Sequence, residues 1–240
     1  MFTVMLLAHL LGDYVLQWNE LALWKARSLW GVLAHGGIVT ATTLVCTALT
    51  APEWGPYALL IGLIHTIIDI VRARFLRTSD TAWELTWYLF DQLAHLTVIA
   101  GVVHLAGRGL TLTVSSGAAR ALADPRVLIY VLGYLALLNP SWVLIRLLVR
   151  GVWGPQAAPH LGDGEKVGPM VERVLMASSI LLGQFLLVPL VLLPRRVVSI
   201  QINGNGAGVL VALTSHWAET GLSVLLAVGV GFALRIIGGM

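Results

Sequence analysis

The chain has 240 residues, of which 58% are hydrophobic and only 11% are charged. Soluble domains carry about 25% charged residues, so this composition excludes a soluble enzyme, and it excludes a disordered chain, which would be polar. The single cysteine, Cys46, excludes an internal disulfide and a cysteine-based zinc cluster. The formal net charge of +3 does not indicate a nucleic-acid partner, because basic residues of membrane proteins collect in cytoplasmic loops. The composition therefore predicts an all-α, polytopic transmembrane helical bundle.

Seven apolar segments follow one another along the chain, and a membrane helix needs about 20 such residues. They are residues 1–17, 30–50, 57–76, 83–106, 127–149, 167–193 and 216–237. The first is short, and its His9 and Asp13 favour a retained helix over a cleaved signal peptide. The fifth contains Asn139-Pro140. We predict one transmembrane domain over 1–240, with a four-helix core at 1–106 and supporting helices at 127–240.

Lysine and arginine predict the orientation of this bundle. With seven spans, ten of the 15 basic residues fall on one side of the membrane. These ten are Lys25, Arg27, Arg72, Arg74, Arg77, Arg146, Arg150, Lys166, Arg173 and Arg235. Because cytoplasmic loops are enriched in Lys and Arg, we expect an N-terminus outside and a C-terminus in the cytoplasm.

Three of the predicted helices repeat one pattern, a histidine and an aspartate four residues apart. The pairs are His9 with Asp13, His65 with Asp69, and Asp91 with His95, and His35 lies on the remaining helix of the core. This spacing puts both side chains on one helix face, one turn apart, as in helices that offer two ligands to a metal. With the predicted orientation, all four helices place such groups roughly 7–14 Å below the cytoplasmic surface.

The energetic cost of these acids favours a metal site over unpaired carboxylates. An aspartate near the centre of a membrane helix costs about 2.5–3.5 kcal/mol. Two divalent cations bring four positive charges against three carboxylates, and the remaining charge suits one bound hydroxide. Four neutral imidazoles and three carboxylates are enough for two metals of coordination four to five, if one carboxylate bridges. Such mixed ligation suits Zn²⁺, Fe²⁺ or Mn²⁺. We predict a dinuclear site whose ligands are His9, Asp13, His35, His65, Asp69, Asp91 and His95.

Further side chains are candidates for supporting roles. We expect Gln17, Tyr88 and Gln92 to orient the ligands or the substrate, and Arg72 or Arg74 to hold an anionic head group at the cytoplasmic mouth. In the C-terminal half, Glu172, Arg173 and Glu219 are secondary candidates. Alternatively, Glu172 and Arg173 form an ion pair, and Glu219 serves in packing or capping.

Several of these motifs resemble a known family. The runs LLAHLLGDYVLQ at 6–17, GLIHTIID at 62–69 and FDQLAH at 90–95 resemble the bacterial membrane family called domain of unknown function 3307. The resemblance covers residues 1–106, and GPMVER at 168–173 and AETGLS at 218–223 are similar to pieces of longer members. It implies a multi-pass protein of the bacterial cytoplasmic (inner) membrane but supplies no established reaction. More distantly, the sequence resembles membrane-bound metal-dependent hydrolases.

Three functions remain open from the sequence. The first is a metal-dependent hydrolase, whose metal would lower the pKa of a bound water, acting on an amphiphile such as a phospholipid or a polyprenyl phosphate. The second is a divalent-metal or proton-coupled transporter or sensor, for which His104 is the hint of a path to the far side. The third is a non-catalytic subunit of a larger membrane complex. Membrane lipid is the expected partner in each case, and the oligomeric state is open.

Overall fold

The computed structural model describes residues 1–76, 83–107, 124–155, 157–158, 166–193 and 207–239, and these residues contain helices and no strand. The α-helices are α1 (Phe2–Leu10), α2 (Asn19–Arg27), α3 (Leu29–Thr50), α4 (Gly55–Leu76), α5 (Glu84–Ala106), α6 (Pro125–Leu137), α7 (Asn139–Trp153), α8 (Val167–Leu181), α9 (Leu187–Val191) and α10 (Ala207–Gly238). A π-helical turn, Leu11–Val15, continues α1, and a 3₁₀ turn, Pro52–Trp54, precedes α4. The all-α prediction is confirmed for the described residues.

Five helical stretches among the described residues are long and apolar enough to cross a membrane. They are Leu29–Thr50, Pro52–Arg74, Glu84–Ala106, Pro125–Trp153 and Leu213–Gly238. They coincide with five of the seven predicted spans. The sequence predicts two more, of which the first is the shorter apolar helix Phe2–Val15. The number of spans and their orientation stay predictions.

The predicted span 167–193 is two helices instead of one. Helix α8 ends at Leu181, and Gly183 follows with a φ of 75°. A glycine in this left-handed region is a common way to end a helix, because it has no Cβ to clash with the backbone. Helix α9 then has only five residues. Arg235 donates to the carbonyls of Ile180 and Leu181 at 3.3 Å, which satisfies acceptors at the end of α8.

The helices cluster into two compact units. The first is Met1–Leu132 and the second is Gly133–Met240, so the boundary falls within α6. The predicted four-helix core at 1–106 lies entirely in the first unit. In this unit the polar groups are inside and large apolar side chains are outside, with Leu63, Phe90 and Leu93 about 60% exposed. Polar groups inside and apolar groups outside suit a helical bundle in lipid.

Helices α3 and α4 pack closely through two reciprocal pairs of small residues. Gly36 of α3 lies against Thr66 of α4, and Gly62 of α4 lies against Thr40 of α3. Each threonine hydroxyl donates to the carbonyl of the glycine four residues before it, at 2.7 Å for Thr40 and 2.8 Å for Thr66. Small residues let membrane helices approach closely. The contact places His35, which precedes Gly36, beside the face of α4.

One end of the first unit is apolar. Met5, Trp54, Ile61, Ile99 and Val102 are buried together there, between the start of α1, the start of α4 and the end of α5. The His/Asp residues lie towards the other end of the same helices. Burying apolar side chains around this end excludes water from it and leaves the polar groups together at the opposite end.

Helix α2 is an element that the sequence analysis did not predict. It is a short helix after the π turn, with Leu21 3% exposed on one side and Leu23 and Trp24 48% exposed on the other. Its backbone at Trp24 and Lys25 lies so close to Gly31 of α3 that a Cβ there would come within 2.5 Å of the Lys25 nitrogen. Gly31 therefore fixes the end of α2 against the beginning of α3.

In the second unit, a buried arginine satisfies a break between two helices. The fifth predicted span, 127–149, is interrupted at Leu138, because Pro140 at the start of α7 cannot donate a backbone hydrogen bond. Arg173 of α8 is 1% exposed and donates to the carbonyl of Leu137 at 2.8 Å and that of Leu138 at 3.3 Å. It also donates to the Ser223 hydroxyl of α10 at 3.3 Å. The side chain thus joins α6, α8 and α10.

Candidate metal centre

The first unit brings the seven predicted ligands together. They are His9 of α1, Asp13 of the π turn, His35 of α3, His65 and Asp69 of α4, and Asp91 and His95 of α5. Each is at most 7% exposed. The π turn that carries Asp13 is a type of irregularity found frequently at functional sites. The ligand pattern of the sequence therefore corresponds to one buried cluster in the structure.

Four ligand atoms lie at the centre of this cluster. His35 Nε2 is 2.9 Å from Asp13 Oδ1, 3.4 Å from His65 Nε2 and 3.6 Å from Asp69 Oδ2. His65 Nε2 is 3.8 Å from Asp13 Oδ1 and 3.2 Å from Asp69 Oδ2. The ligand atoms of Asp13, His35 and His65 therefore lie within 4.8 Å of one another, and Asp69 Oδ2 lies within 3.6 Å of both imidazole nitrogens.

These separations fit a metal ion. Zinc binds histidine nitrogen and carboxylate oxygen at about 2.0–2.2 Å, and a tetrahedron with such bonds has edges of about 3.3–3.6 Å. The five measured separations run from 2.9 to 3.8 Å. Two nitrogens as close as those of His35 and His65 share at most one proton between them, whereas a metal would use the lone pairs of both. The donor set suits Zn²⁺, Fe²⁺ or Mn²⁺.

A second group of three ligand atoms overlaps with this one. His65, Asp69 and His95 each offer an atom within 4.8 Å of the others, as do Asp13, His35 and His65. His65 belongs to both groups. The rings of His65 and His95 have centroids 4.1 Å apart, and the ring of His9 stacks on His95 at 5.2 Å. The histidines thus form one continuous array.

The hydrogen bonding of His95 sets which nitrogen is available. Its Nδ1 lies 2.7 Å from the backbone carbonyl of Asp91. Because a carbonyl can only accept, Nδ1 carries the proton, and Nε2 keeps its lone pair. This Nε2 is buried and has no hydrogen-bond partner among the described residues. A backbone carbonyl that orients a histidine through its other nitrogen is typical of metal-ligating imidazoles.

Two cations contact the acids of the cluster. Lys25 Nζ lies 2.8 Å from Asp69 Oδ2, and Arg72 NH1 donates to Asp91 Oδ2 at 2.9 Å. Three aspartates and two cations leave a net charge of −1 when the imidazoles are neutral, because −3 plus +2 is −1. The charge of the acids is therefore compensated in part by the protein itself.

The predicted supporting residues occupy different positions around the cluster. Gln92 donates to Asp13 Oδ2 at 3.3 Å and to Asp91 Oδ2 at 3.1 Å, so it joins two acids. Gln17 accepts from Lys25 at 3.5 Å. The Tyr88 hydroxyl forms a 2.8 Å hydrogen bond with that of Tyr14. Of these contacts, those of Gln92 are with predicted ligands, and the roles of Gln17 and Tyr88 stay predictions.

Arg72 and Arg74 differ in their surroundings. Arg72 contacts Asp91, and its side chain is 27% exposed. Arg74 is exposed in the last turn of α4. Among the three secondary candidates, Arg173 joins helices in the second unit, and Glu172 and Glu219 also lie in that unit, on α8 and α10.

Lys25 is the site residue that sequence reasoning missed as a contact of the cluster. The sequence analysis treated Lys25 only as a topology signal. The available indication was the segment 19–27, in which Leu21 and Lys25 stand four residues apart, on one helix face, between two apolar spans. Such a pattern predicts an amphipathic helix, and the cation beside its apolar face then lies near the predicted ligands.

Comparison with known proteins identifies the N-terminal half. Residues 1–119 match the family model described as "Protein of unknown function (DUF3307)". The match confirms the predicted family resemblance and covers all seven predicted ligands. No curated protein and no solved structure matched the chain.

Proposed function

We propose that this chain is a membrane hydrolase that binds a divalent transition metal at the His/Asp cluster. The observation that supports it best is the convergence of the ligand atoms of His35, His65, Asp13 and Asp69, separated by 2.9 to 3.8 Å. A bound metal would supply Lewis acidity, which lowers the pKa of a coordinated water and polarises a phosphoryl or acyl oxygen.

The proposal includes two ions, with unequal sites. The principal ion would use Asp13, His35, His65 and Asp69. Since His65 belongs to both ligand groups and its Nε2 can serve one ion, a second ion would depend on His95, with His9 and a carboxylate. We expect this second ion to be bound more weakly, because fewer ligand atoms are within reach of one another there.

Two observations favour a hydrolase over a transporter. A small cavity lies beside the imidazoles of His9, His65 and His95, with Ile61 and Ile99 among its apolar neighbours, and it has room for about one water molecule. Beyond it, the described part of the first unit continues into the apolar cluster around Trp54. His104, the predicted hint of a transport path, is exposed near the end of α5.

The proposed substrate is an amphiphile of the bacterial inner membrane. The cluster lies towards the end of the helices where α2 exposes Leu23 and Trp24. Aromatic and apolar side chains on a short helix suit the boundary between lipid and water. An ester or phosphoester near the head group of a lipid would reach a site at this depth.

Elemental analysis of the protein purified in mild detergent, without chelator, tests the proposal. We expect Zn, Mn or Fe in the wild type, its loss in Asp69→Ala and its retention in Arg74→Ala, which changes an exposed arginine outside the cluster. Asp69→Asn, which keeps the size of the side chain, is the second variant if Asp69→Ala does not fold.

The outcomes separate the three functions. Metal in the wild type, followed by hydrolysis of a phosphate or acyl ester in a substrate screen that Asp69→Asn abolishes, supports the hydrolase. Bound metal without turnover of any ester in the screen contradicts it and favours a structural metal in a subunit. A metal-free wild type contradicts the metal site and favours a polar network for proton or ion transport.

A further inference from the structure

Lys25 and Arg72 form the outer layer of the His/Asp cluster. Their side chains are 13% and 27% exposed, whereas those of their partners Asp69 and Asp91 are 1% and 2% exposed. The two cations therefore lie between the buried carboxylates and the surroundings of the protein. Anything that reaches the carboxylates from this side passes the ammonium of Lys25 or the guanidinium of Arg72.

The same carboxylates are candidate metal ligands. A divalent cation on Asp69 Oδ2 would compete with the ammonium that lies 2.8 Å from that atom, because the two positive charges repel each other there. With neutral imidazoles, one divalent ion changes the net charge of the group from −1 to +1, and two ions change it to +3. Metal loading thus leaves positive charge in excess at the outer layer.

Arg72 already has capacity for a second acceptor. Its NH1 is bonded to Asp91, but its Nε is buried without a hydrogen-bond partner among the described residues. A buried, unpaired N–H costs free energy unless an acceptor is supplied. The guanidinium fork suits an oxygen-rich anion, which can accept two parallel hydrogen bonds from it.

We propose that metal loading turns Lys25 and Arg72 into a binding site for the phosphate-bearing head group of an amphiphile. This inference rests on the proposed metal site and adds the class of its ligand, a role for Lys25 and the condition under which the site forms. The amphiphile follows from α2, because Trp18 is 54% exposed and Leu23 and Trp24 are 48% exposed beside Lys25. Such side chains contact acyl chains.

The position of Lys25 is fixed by the fold. Gly31 of α3 admits the backbone of α2 at Trp24 and Lys25, and Gln17 accepts a hydrogen bond from Lys25 Nζ at 3.5 Å. On release from Asp69, the ammonium would therefore stay at the mouth of the site. A preorganised cation binds an anion without the entropy loss of ordering a free side chain.

Paramagnetic relaxation of ³¹P tests this inference on the full chain in detergent. The protein is loaded with Mn²⁺, and dihexanoyl phosphatidic acid or inorganic phosphate is added as the probe. We expect enhanced ³¹P relaxation of dihexanoyl phosphatidic acid, abolished by exchanging Mn²⁺ for diamagnetic Zn²⁺. Binding should be about tenfold weaker for Lys25→Gln and for Arg72→Gln, as expected when a charge-assisted hydrogen bond is lost. Arg126→Gln, which changes an exposed arginine at the start of α6, should bind like the wild type.

Metal content measured in the same samples separates the two proposals. Lys25→Gln should bind Mn²⁺ as tightly as the wild type or more tightly, because a competing cation has gone, and this also shows that the variant is folded. Bound Mn²⁺ with no ³¹P enhancement in the wild type, or with the wild-type enhancement retained in both Lys25→Gln and Arg72→Gln, overturns the inference and leaves the metal site intact. If the wild type binds inorganic phosphate as tightly as dihexanoyl phosphatidic acid, the amphiphile assignment is overturned. A wild type that binds no Mn²⁺, Zn²⁺ or Fe²⁺ overturns the metal site itself.

Discussion

Gly36 of α3 lies directly against Thr66 of α4, with both Cβ and Cγ2 of the threonine 3.0 Å from where a glycine Cβ would stand. A second such contact has its glycine, Gly62, on α4 and its threonine, Thr40, on α3. Because His35 and His65 are the neighbours of Gly36 and Thr66 in sequence, this close approach brings their Nε2 atoms to 3.4 Å. The packing of small residues therefore positions the ligands of the centre.

Gly36→Ala should disturb the site through this contact. The added methyl overlaps the Thr66 side chain and forces α3 and α4 apart, at a cost of about 1–3 kcal/mol in stability. We expect lower thermal stability and weaker metal binding. The control is Gly37→Ala in the same helix, where a Cβ meets no atom within 4 Å and the better helix propensity of alanine applies. Equal metal affinity in both variants would contradict the positioning role of Gly36.

His65→Ala should remove the principal ion. His65 belongs to both ligand groups, and its Nε2 is assigned to this ion. We expect loss of the principal ion in His65→Ala, and its retention in His95→Ala, which should lose only the weaker ion, by elemental analysis. His104→Ala, which changes an exposed histidine near the end of α5, is the control and should retain the wild-type content.

Bound metal should raise the thermal stability of the wild type. A ligand present at 100 times its dissociation constant stabilises the folded state by about 2.7 kcal/mol. We expect a higher melting temperature with added Zn²⁺, reversed by a chelator, and no such response in His65→Ala. A melting temperature of the wild type that is independent of Zn²⁺ would argue against the site.

The hydrogen bond between Tyr14 and Tyr88 should contribute to stability and not to metal binding. The two hydroxyls are buried and 2.8 Å apart. We expect Tyr14→Phe and Tyr88→Phe each to cost about 0.5–1.5 kcal/mol. The double variant should cost less than the sum, because both changes remove the same bond. Loss of metal from Tyr88→Phe would instead support the predicted role of Tyr88 in orienting the ligands.

Arg173 should act as a structural group of the second unit. Arg173→Ala removes the charged donor from the carbonyls of Leu137 and Leu138, at about 1.5–3 kcal/mol for hydrogen bonds from a charged group. Both carbonyls keep the Ser141 hydroxyl as a donor. Ser223→Ala removes one weaker contact of 3.3 Å and should cost less. Denaturant unfolding of both variants measures whether Arg173→Ala loses more stability than Ser223→Ala. A folded Arg173→Ala protein that has lost its metal would restore Arg173 as a candidate site residue.

The helical class, the five stretches long enough to cross a membrane and the seven candidate ligands could be predicted from the sequence. The four-residue spacing of His65 and Asp69 places both on one face wherever α4 lies, because helical periodicity is local. The sequence also contains the cause of the interruption at Asn139-Pro140, because proline lacks a backbone donor. The break after Leu181 could not be predicted, because a glycine is compatible with a helix or a turn, and only the φ of Gly183 in the structure shows which one it forms.

The contacts between charged side chains, and the cations that neutralise the aspartates, depend on how the helices pack. The sequence assigned Arg72 to a substrate and Lys25 to topology, whereas in the structure they contact Asp91 and Asp69 at 2.9 and 2.8 Å. Such contacts join residues 19 and 44 positions apart, and they depend on how α2 packs beside α3 and how α4 packs beside α5. Local periodicity fixes the face of the helix on which a side chain lies. The partner of that side chain depends on how closely another helix approaches this face. Small residues such as Gly31 and Gly36 permit the close approach.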